Sequence, residues 1–387
     1  MDRIRRARPI VALFAALGVA AAIAPMVMAA PDDIDGPATA TDQAVRVDPV
    51  VPFSPGNPVG PPLPAEARPV DTSDPDVVIG NGTPSSCTSA AVVDAVARGG
   101  VITFDCGSDP ITIPMAATAM VFNRVNGVDT ERVVIDGGGL VTLDGQGQRR
   151  ILYMNTCDQG LVWTTPTCQN QPLPRLTLQR ITFANGNSTG QNQLLNGSPL
   201  SGGGGGGAVF VRGGEVTVVD TIFRSNRCDE TGPDVGGAAL RVFSQFEGRP
   251  VVLANSTLTG GRCSNGAGTS SIGVSWRILN SVFADNVTTG RGANPQRPGT
   301  PGGGNGGAVY LDGNEMTLEL EGSIVRGNVA NEGGGAVFFV SNNRTGRAFI
   351  RSSELVGNPS LGFETAGFPG IFHLGSGDPV VTDSVLS

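Results

Sequence analysis

The feature of this sequence that most restricts its fold is a pattern of glycine-rich turns and short strands that recurs along the chain. The clearest copy, Gly202–Asn226, has a glycine run, an alanine with an apolar triplet, a turn, an alternating strand and a Phe-x-x-Asn element. The order returns at Gly306–Asn328 and Gly334–Asn358, and less regularly at Gly236–Gly261 and Ser271–Asn286. A period of a few tens of residues built from short strands is typical of a solenoid.

When the copies are aligned, a polar position that we expect at a bend comes first, an apolar position follows three residues later, and Gly or Asn follows three residues after that. The polar positions are Arg180, Asp220, Asn255, Asn280, Gly322 and Ser352, followed directly by Ile181, Thr221, Ser256, Ser281, Ser323 and Ser353. The apolar positions are Phe183, Phe223, Leu258, Phe283, Val325 and Leu355, and the last are Gly186, Asn226, Gly261, Asn286, Asn328 and Asn358. Parallel strands stacked about 4.8 Å apart would bury the apolar positions in one column. The pattern predicts an all-β, single-stranded parallel β-helix whose Asn, Ser and Thr side chains bond to backbone at the bends.

The repeated GGA(V/A)(F/Y/L) and Phe-x-x-Asn elements resemble those of right-handed parallel β-helix proteins of the pectate-lyase-like superfamily. More narrowly, they are similar to glycine-rich bacterial surface β-helices that share GGA(I/V/L) and FxxN repeats with polymorphic outer-membrane proteins. Val133–Leu152 also looks like an early coil of that superfamily, and the resemblance extends from Cys87 to the C-terminus. It implies a right-handed parallel β-helix. It does not imply one chemistry, because the same coil carries lyases, hydrolases, epimerases and adhesins.

The N-terminal part divides into three segments. Residues 1–29 have an arginine-rich start, an apolar stretch and a small-residue cleavage pattern, which predict a secretory signal peptide; a retained membrane anchor is the alternative. Residues 30–83 are rich in Pro and are predicted to form a disordered, extended linker. Residues 84–387 are predicted to be the β-helix domain, and Cys87–Gly100 a helix that caps its first coil. We therefore expect a secreted, extracellular or cell-surface protein with no membrane span after cleavage.

Six cysteines in an exported chain predict three disulfides, for which 15 connectivities are possible. Proximity in the sequence favours the pairs Cys87–Cys106, Cys157–Cys168 and Cys228–Cys263. No spacing of Cys and His is typical of zinc, so no metal site is predicted from these residues.

The chain is acidic, with a formal net charge of −8, and all 26 of its basic residues are Arg. This charge disfavours nucleic acids and anionic membranes as partners. It also disfavours a strongly acidic polymer, unless a local arginine patch or Ca²⁺ intervenes. A polysaccharide or a cell-surface component remains the expected kind of partner, and the oligomeric state is not predicted.

The enzyme interpretation depends on a small set of residues. Polysaccharide lyases of the superfamily use Asp or Glu to hold Ca²⁺ against a uronate and Arg or Lys as the base, and the resemblance makes Arg180, Asp220 and Arg224 the candidates. Arg180 and Asp220, however, occupy the bend column, which favours a structural role. Asp136 and Asp144 form a formal acid/base pair, but each precedes Gly, as in ordinary turns.

Two hypotheses follow. The favoured one is a non-catalytic secreted β-helix that acts as a structural, adhesive or glycan-contacting protein without a cofactor. The alternative is a carbohydrate-active enzyme, a polysaccharide lyase or epimerase acting along one face of the β-helix; Ca²⁺ is expected only in that case.

Overall fold

Most strands of this protein belong to three long sheets whose neighbours run parallel, with one antiparallel exception at Arg46–Val47. The computed structural model describes residues 45–47, 52–162, 167–191, 204–232, 235–291 and 302–387, all within the unit Asp42–Ser387. The predicted signal peptide, residues 1–29, lies outside the described residues.

The sheets are named A, B and C here. In hydrogen-bonding order, sheet A contains Arg46–Val47, Ile111–Pro114, Val141–Asp144, Thr182–Ala184, Ile222–Arg224, Thr257–Thr259, Val282–Ala284, Ile324–Arg326, Glu354–Val356 and Val385–Leu386. Sheet B contains Val77–Gly80, Gly100–Asp105, Arg132–Asp136, Arg175–Gln179, Glu215–Val219, Val251–Ala254, Trp276–Leu279, Thr317–Glu321, Arg347–Arg351 and Val380–Thr382. Sheet C contains Ala119–Val121, Leu152–Asn155, Val209–Arg212, Leu240–Phe243, Thr269–Ile272, Val309–Gly313, Val337–Ser341 and Ile371–Leu374. A small sheet D contains Arg262–Cys263, Val287–Thr288 and Val329–Ala330, and Arg124–Val125 pairs with Val128–Asp129 as a hairpin.

The chain visits the three sheets in turn. After Glu215–Val219 in sheet B it enters Ile222–Arg224 in sheet A, then Leu240–Phe243 in sheet C, and then Val251–Ala254 in sheet B again. Each passage through B, A and C, called a coil here, adds a strand beside the previous one in every sheet. This all-β arrangement of long parallel sheets is compatible with a β-helix.

The apolar positions aligned in the sequence pair in register in sheet A. Phe183 pairs with Phe223, Phe223 with Leu258, and the series continues through Phe283, Val325 and Leu355. All six side chains are fully buried in the main core cluster. Alternate residues of each strand face this core because successive side chains of a strand point to opposite faces.

The polar positions aligned in the sequence form the bend between sheets B and A. All six have positive φ, from 44° at Asn255 to 61° at Gly322. The hydroxyl column that follows is buried. The hydroxyls of Ser256, Ser281, Ser323 and Ser353 each accept a backbone N–H from the preceding coil, for example Ser256 N to Ser281 Oγ at 3.2 Å and Ser281 N to Ser323 Oγ at 3.0 Å. The predicted bonding of polar side chains to bend backbone is confirmed.

The predicted helix is also present, over Ser89–Arg98. Thr88 Oγ1 accepts the N–H of Ala91 at 3.2 Å, and Gly99, with φ of 76°, ends the helix. The buried side chains of Val92, Ala95 and Val96 belong to the same core cluster as the sheets. Shorter 3₁₀ turns lie at Ala65–Ala67, Pro84–Ser86, Gln159–Leu161 and Phe246–Gly248.

Residues 52–76, called the strap here, differ from the disordered linker predicted for residues 30–83. Asn57 donates its backbone N–H to Asn280 O at 2.7 Å and its side-chain amide to Gly322 O at 2.8 Å. Ala67 is fully buried with the partly buried Leu63 against an apolar cluster on the outside of sheet B, whose other members are Val219, Val252, Ala254 and Leu279. Directly after the strap, Val77–Gly80 pairs with sheet B, so strands begin before residue 84.

Glycine at two strap positions explains how the strap lies so close to the bends. A Cβ on Gly56 would lie 2.3 Å from Asn255 Oδ1, and one on Gly60 would lie 2.2 Å from Asn280 Oδ1. Proline supplies no N–H that would need a strand partner. A Pro-rich segment can therefore pack on the sheets by glycine contacts and side-chain hydrogen bonds without forming a strand itself.

The three disulfides join Cys87 to Cys106, Cys157 to Cys168 and Cys228 to Cys263. These are the pairs that proximity in the sequence favours.

Candidate functional site

The strongest polar cluster among the candidate residues surrounds Asp136, at the end of a sheet B strand. Arg180 forms an ion pair with this carboxylate, and its Nε donates to Asp136 Oδ1 at 3.0 Å. Gln179 Nε2 and Thr72 Oγ1 donate to Asp136 Oδ2 at 2.8 and 2.6 Å, and the N–H of Gly138 donates to Oδ1 at 2.9 Å. The carboxylate is thus fully surrounded by donors.

The electrostatics of Asp136 follow from these contacts. Burial acts to raise the pKa of Asp136, but the hydrogen bonds from Arg180, Thr72, Gln179 and the Gly138 N–H outweigh burial and lower it below its ordinary value. A carboxylate held in its ionised form by four donors is a poor proton acceptor, because protonation would weaken these bonds. This cluster is suited to fixing the bend and the strap.

Arg180 and Asp220, two of the three candidate catalytic residues, occupy neighbouring bends, and the third, Arg224, lies in sheet A. Asp220 occupies the next bend and accepts a hydrogen bond from the side-chain amide of Asn255. Arg224 lies on the outer face of sheet A, since its neighbour Phe223 faces the core. No hydrogen bond or ion pair among the described residues connects Arg180, Asp220 and Arg224.

Asp144, the second residue of the formal acid/base pair, is also engaged in a turn. Its Oδ1 accepts the N–H of Gln146 at 2.7 Å and the amide of Asn185 at 3.1 Å, and its Oδ2 lies 3.3 Å from Arg46 Nη2. Asp136 ends a strand of sheet B and Asp144 a strand of sheet A. Each carboxylate therefore stabilises its own Asp-Gly turn, which is the structural role expected from its position before Gly in the sequence.

The single histidine, His373, lies in the sheet C strand Ile371–Leu374 of a late coil. Its ring stacks on Phe339 with the centroids 4.9 Å apart, and burial lowers the pKa of His373. Across the part of the chain that the structure describes, no three residues of the types His, Cys, Asp and Glu are grouped so that they could hold a metal ion.

A cleft of about 660 Å³ lies where sheet B strands begin, and sequence reasoning did not find it. Its charged lining consists of Asp76, Arg98, Asp129, Glu131, Arg132 and Arg175. Most of these charges are already paired: Arg132 with Asp76 at 3.7 Å, Arg98 with Asp94 and Arg124 with Asp129. Glu131 and Arg175 take part in no ion pair of the described residues. The residues come from four separate segments, so no local motif marks the cleft in the sequence.

One observation bears on the compartment. Three disulfides are typical of proteins from oxidising, non-cytoplasmic environments. Within the described ranges, none of the helices has both the length and the apolar character needed to span a bilayer.

Comparisons with known proteins yield no relative. No protein-family model, no curated protein and no solved structure matches this chain.

Proposed function

We propose that this chain is an exported right-handed parallel β-helix that serves as a non-catalytic structural or adhesive module contacting glycans or a cell surface. The long parallel sheets visited in turn support the β-helix. The apolar residues that the helix Ser89–Arg98 adds to the core support its role as an N-terminal cap. The disulfides and the signal-like pattern of residues 1–29 support export.

The observation that carries the non-catalytic proposal is the use of Arg180. Its guanidinium is bonded to Asp136 and also donates to Thr72 Oγ1 of the strap at 3.1 Å. A general base must be within reach of a substrate proton. Because Arg180 is bonded to a buried carboxylate and to the strap, we assign it a structural role.

The outer face of sheet A supports a contact role. Its first outward column runs in register from Thr112 through Thr142, Thr182, Ile222, Thr257, Val282 and Ile324 to Glu354. Thr112, Thr142 and Thr182 are buried, whereas the four side chains from Ile222 to Ile324 are partly exposed. These four are β-branched and carry no titratable group, so this part of the face has short side chains suited to contact with a second surface.

The test is a binding and turnover screen with acidic and neutral polysaccharides, with Ca²⁺ and with a chelator. We expect retention of protein on one or more polymers without the ultraviolet absorbance of an unsaturated lyase product. Absorbance that Ca²⁺ supports and that Arg180→Ala abolishes would overturn the proposal.

The second candidate, a polysaccharide lyase or epimerase, is favoured by one observation, the cleft that contains Glu131 and Arg175. A carboxylate and an arginine without ion-pair partners on the same concave surface are groups that could meet a uronate. In the same screen, turnover that is lost in Arg175→Ala and retained in Arg180→Ala would support this candidate.

A further inference from the structure

Two arginines stand side by side at the corner after sheet A. Arg227 and Arg262 are bridged in parallel register on neighbouring coils, so their Cα atoms lie about 4.8 Å apart. The next residues, Cys228 and Cys263, are buried and joined by a disulfide. Because strand side chains alternate, both arginines point outward, and both are exposed.

This arrangement places like charges together without compensation. Like charges directly opposite in a sheet are destabilising, and no ion pair of the described residues contains Arg227 or Arg262. The in-register pair Arg132 and Arg175 of sheet B differs, because Arg132 there lies 3.7 Å from Asp76. The disulfide holds the uncompensated pair in place.

Arg224 ends the sheet A strand that leads into this corner and is a third exposed arginine there. It is exposed on the outer face of sheet A, three residues before Arg227, and also belongs to no ion pair of the described residues. Arg227 Nη2 lies 2.8 Å from the position that a Cβ on Gly147 would occupy, so a glycine in an earlier coil leaves room for the guanidinium. We call Arg224, Arg227 and Arg262 the arginine stripe.

We propose that the arginine stripe binds the anionic groups, carboxylates or sulfate esters, of an acidic polysaccharide. The planar guanidinium donates two parallel hydrogen bonds to such groups. The residues in register with the stripe, Asn187 and Val287 beside the pair and Thr259 beside Arg224, add no charge. The net charge of −8 disfavours nucleic acid, whose charge density is higher. The inference rests on the proposed glycan-contacting function and names the kind of glycan.

The test uses one polymer backbone in three forms: dextran, carboxymethyl-dextran and dextran sulfate. The variant is Arg227→Gln/Arg262→Gln, and the matched control is Arg344→Gln/Arg347→Gln, which removes the same charge from two exposed arginines outside both the stripe and the cleft. We expect the full-length protein to bind a charged form, with the dissociation constant rising about tenfold or more in the stripe variant, as expected for two lost charge-assisted contacts. The control should stay within about twofold, and added salt should weaken the binding.

The charged form that is bound identifies the anionic group as carboxylate or sulfate. No binding to either charged form, or equal losses in both double variants, would overturn the stripe proposal. Equal binding to neutral dextran would also overturn it while leaving the proposed glycan-contacting function standing. Polymer cleavage in the ultraviolet assay would instead overturn the proposed function. Cooperative thermal unfolding of both double variants checks that each is folded.

Discussion

Asn328 Oδ1 accepts two hydrogen bonds from Asn286 of the preceding coil, one from the backbone N–H at 3.1 Å and one from the side-chain amide at 2.8 Å. Asn328 Nδ2 in turn donates to Phe283 O at 3.0 Å and to Asn358 Oδ1 at 2.8 Å. These side chains are buried. Asn286, Asn328 and Asn358, called the asparagine column here, therefore form a continuous line of side-chain amides over three neighbouring coils.

Replacement of Asn328 should be strongly destabilising. Asn328→Ala leaves the buried N–H of Asn286 and the carbonyl of Phe283 without their partner, and we expect a loss of about 3 kcal/mol in the free energy of unfolding. Urea unfolding measures this loss of free energy. Asn314, whose side chain is exposed, is the control position, and Asn314→Ala should change the free energy of unfolding by less than about 0.5 kcal/mol. Equal effects of the two substitutions would contradict the role of the column.

The Arg180–Asp136 pair should make stability depend on pH. Its contacts lower the pKa of Asp136, so the stabilisation is present above the ordinary Asp pKa of about 4 and is lost as the pH falls through the lower folded value. Arg180→Gln should lower the free energy of unfolding at neutral pH by about 2 kcal/mol, and this difference should shrink in acid.

Urea unfolding of both proteins from neutral to acidic pH measures this dependence. Arg98→Gln, which removes an ion pair with both partners more than half exposed, is the control and should have an effect below about 0.5 kcal/mol. A constant difference between Arg180→Gln and the natural protein at every pH would count against the pair.

A charge beneath the strap should detach it. Ala67→Asp places a carboxylate against the apolar cluster that contains Val219 and Leu279, where an unpaired charge is unfavourable. We expect backbone hydrogen exchange of the strap to increase about tenfold or more, while the sheet C strands stay protected. Glu66→Gln, which removes only the partly exposed pair with Arg277, is the control and should leave the exchange nearly unchanged. Faster exchange throughout the chain would instead indicate general unfolding.

Tyr153 should ionise late in alkali. Burial, the largest influence, raises the pKa of Tyr153 to about 12. The protein has two tyrosines, so Tyr310→Phe isolates the signal of Tyr153 in a phenolate absorbance titration. Because the unfolded tyrosine ionises near pH 10, stability should fall as the pH rises from about 10 to 12, and Tyr153→Phe should reduce this fall. Ionisation of Tyr153 in the folded protein near pH 10 would contradict its raised pKa.

The parts of the structure that the sequence predicts well are those set by local pattern. Phe183 and Phe223 occupy the same position in two copies of the repeat, and they pair in register. Thr88 and Gly99 carry ordinary helix-end chemistry and occupy both ends of the helix. In these cases the residues that determine the structure are close together in the sequence.

Long-range packing could not be predicted in the same way. Asp136 and Arg180 are 44 residues apart, and Asn57 contacts Gly322 across 265 residues. Nothing in a Pro-rich stretch identifies the distant surface on which it lies. One signal was available and missed: Arg-Cys occurs at Arg227-Cys228 and again at Arg262-Cys263, and the predicted disulfide between these cysteines already places the arginines next to each other.

The strap has a consequence for how the molecule comes apart. In a stack of repeats each unit contacts only its neighbours, so units can be lost one by one from an end. The strap, however, contacts Gly139 through Phe53, Gly322 through Asn57 and Asp136 through Thr72. The strap therefore connects coils that share no strand pairing, and we expect these coils to unfold together as one cooperative unit. The coils that follow Gly322 have no such contact with the strap among those named here, and we expect them to unfold one at a time.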